Sequence, residues 1–374
     1  MKLRELRTPA ALVELDVVAR NCRRMGERVA RLGAKLRPHV KTHKTVEAAR
    51  LSVQGHFGGV TVSTLAEARA LVDAGFRELV WAVPVALDKL SDVAALAARV
   101  ESFGVLVDHP RTAAELAGAA KSLGVSLEVW LKVDCGYHRA GVDPKARESV
   151  ELARALANSP GLRLRGVLTH AGHAYDARSL DELRAIARSE RELTVAFAER
   201  LRGAGVPIAD VSIGSTPTLS VADDLTGVTE VRPGNYVFFD AFQAALGSCT
   251  LADAAFSVLA SVLGAHPARR ELVLDAGALA LSKDTGARHV DPRCGYGRVT
   301  ELDGTLRPEL ELVSLSQEHG KVRVTGDVDW SRLAPGAKLR VIANHSCLAA
   351  AQFERYAVVR GDEVVDEWRP ARGW

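Results

Sequence analysis

The hydrophobic pattern divides the chain into two parts. From residue 10 to about 245, short and nearly continuous apolar runs alternate with longer amphipathic stretches. The runs fall at 11–15, 35–40, 59–62, 79–83, 102–107, 127–133, 164–168 and 210–213. Uninterrupted apolar runs mark strands covered on both faces, as in a parallel sheet. The stretches between them, such as 16–32, 65–74, 110–123, 146–157 and 180–202, repeat apolar residues at i, i+3 and i+4. That spacing is the stripe of a helix with one buried face. Eight strand-then-helix units in a row predict an α/β fold, a (β/α)8 barrel over residues 10–245. Beyond that point the helical period disappears. Runs at 256–263, 271–274, 310–315, 321–325, 338–342, 356–359 and 363–365 are separated by Gly, Pro and Asp turns. Residues 246–374 are therefore expected to form a β domain, with residues 1–9 packed against it.

Charge and composition narrow the class of protein without naming a reaction. Forty-nine Lys and Arg against 46 Asp and Glu leave a net charge of +3, too small to draw the chain to nucleic acid or to a membrane surface. No apolar run approaches the ~18 residues that span a bilayer. The opening MKLRELRTPA carries charges where a signal peptide needs an apolar stretch. Five cysteines, an odd number with no C-x-x-C, fit a reducing compartment. A cytoplasmic enzyme acting on a small molecule is the expectation.

In a barrel of this kind the chemistry sits at the C-terminal ends of the strands. The 35–40 run leads into Arg37-Pro38-His39-Val40-Lys41-Thr42-His43-Lys44. Later runs end near Ser63, Thr64, Asp108, Asp134, Thr169 and His170. The last ends in Gly214-Ser215-Thr216-Pro217, with Arg232-Pro233-Gly234-Asn235 soon after. Burial, and positive charge on His39, His43 and Lys44, would favour the free amine of Lys41, the form that attacks an aldehyde. A solvated basic loop reads the same way. The turn at Gly214–Pro217 can offer N–H groups and hydroxyls to a phosphate, with Gly234 and Asn235 closing the cup. It can equally be an ordinary N-cap. In the β part, His345 and Cys347 stand at i and i+2 after a run and would share one side of an extended segment, half of a zinc site with open positions. The alternative is a half-buried histidine beside a core cysteine. Gln317-Glu318-His319-Gly320 is a second, weaker polar cluster.

Read in order, these segments resemble a known family. The segments are Arg37 to Lys44, Thr61-Val62-Ser63-Thr64, Gly136-Tyr137-His138-Arg139-Ala140-Gly141, Thr169 to Tyr175 and Ser212 to Thr218. They continue with Glu230 to Tyr236, Gln317 to Gly320, His345-Ser346-Cys347 and the closing Trp368 and Gly373-Trp374. Together they resemble the zinc-dependent D-serine dehydratases, a group that includes D-threo-3-hydroxyaspartate dehydratases and D-threonine aldolases. The resemblance implies an alanine-racemase-like fold, a pyridoxal-phosphate barrel followed by a β domain, assembled as a homodimer. It implies that Lys41 forms the Schiff base with pyridoxal 5′-phosphate, that His170 stacks on its ring and that Arg139 sits near its phenolic oxygen. Tyr175 would line the pocket, and Ser215, Thr216, Gly234 and Asn235 would hold the phosphate. Arg232 aligns with an arginine that contacts the pyridine nitrogen in alanine racemases. His345 and Cys347 would bind Zn2+ or another divalent cation.

The same resemblance implies β-elimination from a D-β-hydroxy amino acid, D-serine or D-threo-3-hydroxyaspartate, to a 2-oxo acid and ammonia. Aldolase relatives tend to carry an aspartate where this chain has Cys347, a harder site suited to manganese or magnesium, so the His/Cys pair resembles the dehydratase branch. Retro-aldol cleavage to glycine and an aldehyde is the alternative. A non-catalytic pyridoxal-phosphate carrier is a remote one, since such carriers lack the β domain. One departure concerns specificity: many relatives have a Gly-Ser-Lys-Ala-type turn where this chain reads Gly277-Ala278-Leu279-Ala280.

Overall fold

The computed structural model describes all 374 residues and resolves them into two compact units. One comprises Arg24–Gly234 with Ala371–Trp374, the other Met1–Arg23 with Asn235–Pro370. Helix Leu15–Arg31 carries the chain from the second into the first.

The first unit is built on eight parallel strands: Lys35–Leu36, Val60–Val62, Glu78–Pro84, Ser102–Val107, Leu127–Lys132, Leu162–Leu168, Asp210–Ile213 and Glu230–Val231. From the second to the eighth, each pairs with its successor, and the eighth pairs with the first. A bridge between His39 and Thr61 joins the segment after the first strand to the second, which completes the ring. Val80, Leu106, Trp130 and Leu168, from four of these strands, pack together with essentially no exposure, as the filled interior of a small parallel barrel requires. The helices between the strands start where the sequence supplies a cap. Thr64 accepts the Glu67 N–H ahead of Leu65–Asp73, Ser179 accepts the Glu182 N–H ahead of Leu180–Gly203, and Pro110 opens Pro110–Leu123.

The expected barrel registers correctly from residue 35 onward but not before it. Strand Ala10–Glu14, expected as the first barrel strand from the 11–15 run, lies in the other unit. There it pairs antiparallel with Phe256–His266 and parallel with Tyr356–Arg360. A strand buried on both faces carries the same apolar run in either sheet, and the helix that follows completes the imitation of a barrel repeat. The true eighth barrel strand is the two-residue Glu230–Val231, too short and too polar to register as an apolar run.

The second unit holds a nine-stranded sheet. Six strands form an antiparallel ring in the order Phe256–His266, Glu271–Leu274, Gly320–Val324, Leu306–Leu315, Gly297–Thr300 and Lys338–Ala343, which returns to the first. Ala10–Glu14, Tyr356–Arg360 and Glu363–Trp368 extend it from the long strand Phe256–His266. Gly297–Thr300 escapes the periodicity because only Val299 among its four residues is a large apolar side chain. Lys2 bridges Glu363, and Leu3 packs with Leu12, Leu259 and Val359, so the first residues belong to this core. No helix of the chain is long and apolar enough to cross a membrane.

Candidate functional site

Lys41 sits on a short 3-10 turn, Val40–Thr42, beyond the end of strand Lys35–Leu36 rather than on it, and is half-buried. The turn is held from both sides. His39 donates its N–H to the Pro233 carbonyl at 2.9 Å, and its ring Nδ1 accepts the Lys41 N–H at 3.4 Å. Gly234 is there because the chain passes close: a Cβ on it would lie 2.6 Å from the His39 carbonyl oxygen. The histidines beside Lys41 do not add the positive charge expected of them. Burial holds His39 well below its ordinary value, helped by the charges of Lys41 and Arg232, and pushes His43 down to about 3. Both rings are therefore neutral near pH 7. Lys44 is neutralised by Glu67 at 2.5 Å.

The cations come from elsewhere in the barrel. His170 is also kept well below its ordinary value by burial, and Lys41, Arg139, Lys132 and Arg232 add to the effect. Four positive side chains from four different loops or strands thus converge on this ring. Arg232 is 5% exposed; its guanidinium donates to the Ser212 hydroxyl and the Thr169 carbonyl, and burial lowers it to about 10. Ser212 donates in turn to Glu230 at 2.6 Å, and Glu230 accepts from Arg37 at 2.8 Å. This chain of bonds fixes Arg232 from below. Arg139 is exposed, with its guanidinium 5.1 Å above the Tyr137 ring, and Tyr137 meets His170 edge-on with centroids 6.4 Å apart. Tyr175 is half-buried on the 3-10 turn Gly172–Asp176.

Glu190 ties two of these loops together. One carboxylate oxygen accepts the Ala171 N–H at 2.9 Å and the Gly214 N–H at 3.2 Å; the other is buried without a hydrogen-bond partner. Lys132, at the end of strand Leu127–Lys132, is 6% exposed and donates to the Val133 carbonyl at 2.9 Å. Burial pushes it from 10.5 down to about 8, with Cys135 opposing and Arg232 and Arg139 assisting. Between those two pH values the unfolded chain carries a proton that the folded one has lost, so stability rises with pH across that window. The full shift is worth roughly 3 kcal/mol. In the cofactor-free protein, urea midpoints should climb from about pH 8 toward 10, and the climb should be flatter in Lys132→Met. Parallel slopes in the two proteins would rule out the lowering of Lys132.

Ser215 and Thr216 are both buried at the start of helix Thr216–Val221. Ser215 acts as its N-cap, accepting the Thr218 N–H at 3.3 Å while its own N–H donates to the Thr218 hydroxyl at 2.9 Å. Its hydroxyl is thus engaged within the turn. Asn235, expected in the phosphate cup beside Gly234, directs its side chain elsewhere within the second unit. Its amide nitrogen donates to Asp240 at 2.7 Å and to Ser346 at 3.1 Å, with the Cys347 sulfur at 3.7 Å. A contribution from Asn235 to phosphate binding would have to come from its main chain.

In the second unit His345 and Cys347 are half-buried where strand Lys338–Ala343 gives way to helix Ser346–Ala350. Their side chains hydrogen-bond to each other. His345 Nδ1 also donates to Asp284 at 3.1 Å. Burial works against charge on His345, but the Cys347 thiolate, the Asp284 bond and Asp240 outweigh it and lift the imidazole well above its ordinary value. The same bond holds the Asp284 carboxyl low. The Gln317–His319 cluster forms an exposed turn that backs onto the Gly277 turn: Leu279 N–H donates to the Gln317 carbonyl at 3.1 Å, and a Cβ on Gly277 would lie 2.5 Å from that oxygen.

Comparison with known proteins follows the same two-part division. The family model "Alanine racemase, N-terminal domain" matches residues 13–241, and "Putative serine dehydratase domain" matches residues 255–359. The chain is 39% identical to the D-threo-3-hydroxyaspartate dehydratase of Delftia sp. (strain HT23) over 99% of its own length and 98% of that protein's. The chain belongs to the D-serine dehydratase family. Another member, the D-serine dehydratase of Dictyostelium discoideum, is 34% identical over 100% of this chain and 98% of its own. The D-threonine aldolase of Arthrobacter sp is more distant, at 28% identity over 98% of this chain and 93% of its own. The solved structure of the Delftia enzyme superposes with a TM-score of 0.96 over the whole of both chains. Structures of two D-threo-3-hydroxyaspartate dehydratase mutants, one histidine-to-alanine and one cysteine-to-alanine in a metal-free form, superpose with TM-scores of 0.96 and 0.95.

The donors in this family member fit an anionic cofactor and a soft metal. Lys41, Lys132, Arg139 and Arg232 gather about two neutral histidines, a cationic excess suited to a phosphorylated aldehyde. A thiolate and an imidazole whose far nitrogen is held by a carboxylate are zinc-type donors with their orienting partner in place. No third His, Cys, Asp or Glu completes a metal shell, which leaves positions for substrate or water. Sequence reasoning missed Lys132, Glu190, Asp284 and Asp240. Lys132 had a signal, since it is one of only two charges, with Glu128, inside the 127–133 apolar run. Glu190 had none among the many charges of its helix, and Asp284 lies in what reads as a plain polar turn.

Proposed function

We propose that this chain is a pyridoxal-phosphate- and zinc-dependent ammonia-lyase that dehydrates a D-β-hydroxy amino acid, D-serine or D-threo-3-hydroxyaspartate, to a 2-oxo acid and ammonia. The observation that carries this reading is the His345–Cys347 pair with Asp284 on the imidazole, because hydroxide is a poor leaving group that a Lewis acid assists and these are zinc-type donors. A D-threo-3-hydroxyaspartate dehydratase mutant solved in what is described as the metal-free form supports metal binding in this family.

Lys41 would hold pyridoxal phosphate covalently, Arg232 and Arg139 would face its anionic and heteroatom edges, and the Gly214 turn with Ser215 and Thr216 would sit at its phosphate. Bound there, the cofactor supplies an electron sink for the negative charge left at Cα. Zinc held by His345 and Cys347 would supply Lewis acidity to a poor leaving group such as hydroxide. The chain's own tasks are then proton transfers and charge management. Lys41 would take the α-proton as a general base. His39 and His170 stay neutral, so they pack beside the reacting centre without competing for the substrate carboxylate or the phosphate. Departure of the β-hydroxyl with a proton leaves an aminoacrylate, which water converts to the 2-oxo acid and ammonia.

None of the five cysteines is in a disulfide, which supports a reducing, cytoplasmic setting, and the working form is taken to be a homodimer. The deciding experiment is product analysis with D-serine, D-threo-3-hydroxyaspartate and D-threonine, with and without a chelator. Chelator-sensitive 2-oxo acid plus ammonia is expected, and the better substrate identifies the branch. The second reading, retro-aldol cleavage, is favoured by the 28% identity to the D-threonine aldolase. Glycine plus acetaldehyde from D-threonine, with no 2-oxo acid from D-serine, would establish it instead.

A further inference from the structure

Asp284 stands 61 residues from His345 in the sequence, yet it meets that histidine directly. Its carboxylate is engaged at both oxygens. One accepts the Gly286 N–H at 2.8 Å, and the other accepts from His345 Nδ1 at 3.1 Å. Its N–H donates to the Ser282 hydroxyl at 3.2 Å, and its carbonyl accepts the Asn344 amide at 3.1 Å. Asp284 therefore grips the imidazole and the residue just before it. A second carboxylate anchors the residue just after: Asp240 accepts the Ser346 N–H at 2.9 Å and its hydroxyl at 3.1 Å.

This arrangement acts on the choice of ring nitrogen. A carboxylate at Nδ1 keeps the N–H of that nitrogen, so Nε2 is the one that sheds its proton to offer a lone pair to a metal. Turning the ring over would forfeit the bond and leave Asp284, about half-buried, with an unmatched oxygen. The ring is thereby held in the orientation that also places it against the Cys347 sulfur. The ordering cost of the ligand pair is met during folding, and a metal ion does not have to supply it.

With His345 and Cys347 read as metal ligands, as above, we propose that Asp284 is the positioning residue of the metal site: it fixes the Nε2-donor form of His345 and pre-orders the His345–Cys347 pair for zinc. Its loss should appear in metal affinity, by about 10–100-fold, the usual weight of an outer carboxylate.

The test uses the full chain loaded with pyridoxal phosphate, stripped of metal by a chelator, and titrated with zinc against a chromophoric competitor. His345→Ala is expected to lose the site. Asp284→Ala should retain it with zinc affinity lowered about 10–100-fold, while cofactor absorbance and thermal unfolding of the metal-free protein stay as in the wild type. Asp284→Asn keeps one acceptor oxygen, enough for Gly286 or His345 but not both, and should weaken zinc in the same direction. It decides the question if the alanine variant does not fold. Wild-type zinc affinity in a folded Asp284 variant would overturn the positioning role and leave the ligand pair standing. If wild type and His345→Ala bind zinc alike, the ligand assignment fails, and the role of Asp284 falls with it.

Discussion

Lys41→Ala protein is expected to bind pyridoxal phosphate only reversibly, to show no borohydride-reducible link to it, and to lose turnover by roughly 10²–10⁴-fold or more. That range is the contribution of one positioned proton-transfer group, and this lysine would also provide the covalent anchor. Two features make the expectation sharp. The 3-10 turn bearing Lys41 is clamped by the His39–Pro233 bond and by the close passage of Gly234, so an alanine leaves the loop in place. The other cations, Lys132, Arg139 and Arg232, are untouched and still attract the phosphate. The measurement is borohydride reduction followed by mass mapping of the modified peptide. A reduced adduct surviving in the variant would mean another amine holds the cofactor, and Lys132, buried and lowered to about 8, would be the first to examine.

His345→Ala should lose bound metal and about 10²–10³-fold in turnover while its cofactor stays attached. Lewis-acid assistance to a leaving oxygen is worth several kcal/mol, which converts to that rate factor. The variant removes one of two protein donors and leaves Cys347 as a lone thiolate, too few ligands for a stable site. Metal content by elemental analysis, read beside cofactor absorbance in the same sample, separates the two losses. Full activity in the variant, or in wild type after exhaustive chelation, would remove the metal from the reaction altogether.

Two parts of the fold could be read from sequence: the repeat of buried strand and striped helix from Lys35 to Ile213, and the β domain, whose apolar runs from Phe256 onward all fall on strands. The errors have one cause: an apolar run reports burial but not the identity of the neighbours. Ala10–Glu14 is as deeply buried as a barrel strand and belongs to the other sheet. Glu230–Val231 is a barrel strand without the run, because its glutamate is satisfied inside the barrel by Arg37 and Ser212. At the site, the dense polar segment around Lys41 and the His345–Cys347 spacing could be read locally. The protonation states could not. His39 and His43 look cationic beside Lys41, but burial keeps both neutral, and the positive side chains that act with Lys41 on the His170 ring are those of residues 132, 139 and 232. Asp284 was invisible for the same reason: its partner is set by the fold and not by spacing.

The place of Ala10–Glu14 also limits how far this enzyme can be treated as a set of modules. Ala11 pairs with Tyr356, so a strand made early in synthesis must wait for nearly the whole chain before its parallel neighbour exists. The barrel, continuous over Arg24–Gly234 apart from its last four residues, can assemble in the interval. A fragment beginning near residue 246 would lack the strand between Phe256–His266 and Tyr356–Arg360 and would expose two unpaired edges, an invitation to aggregate. Any chimera that borrows the portion carrying the His345 and Cys347 positions from a relative must therefore take the counterpart of residues 1–23 with it.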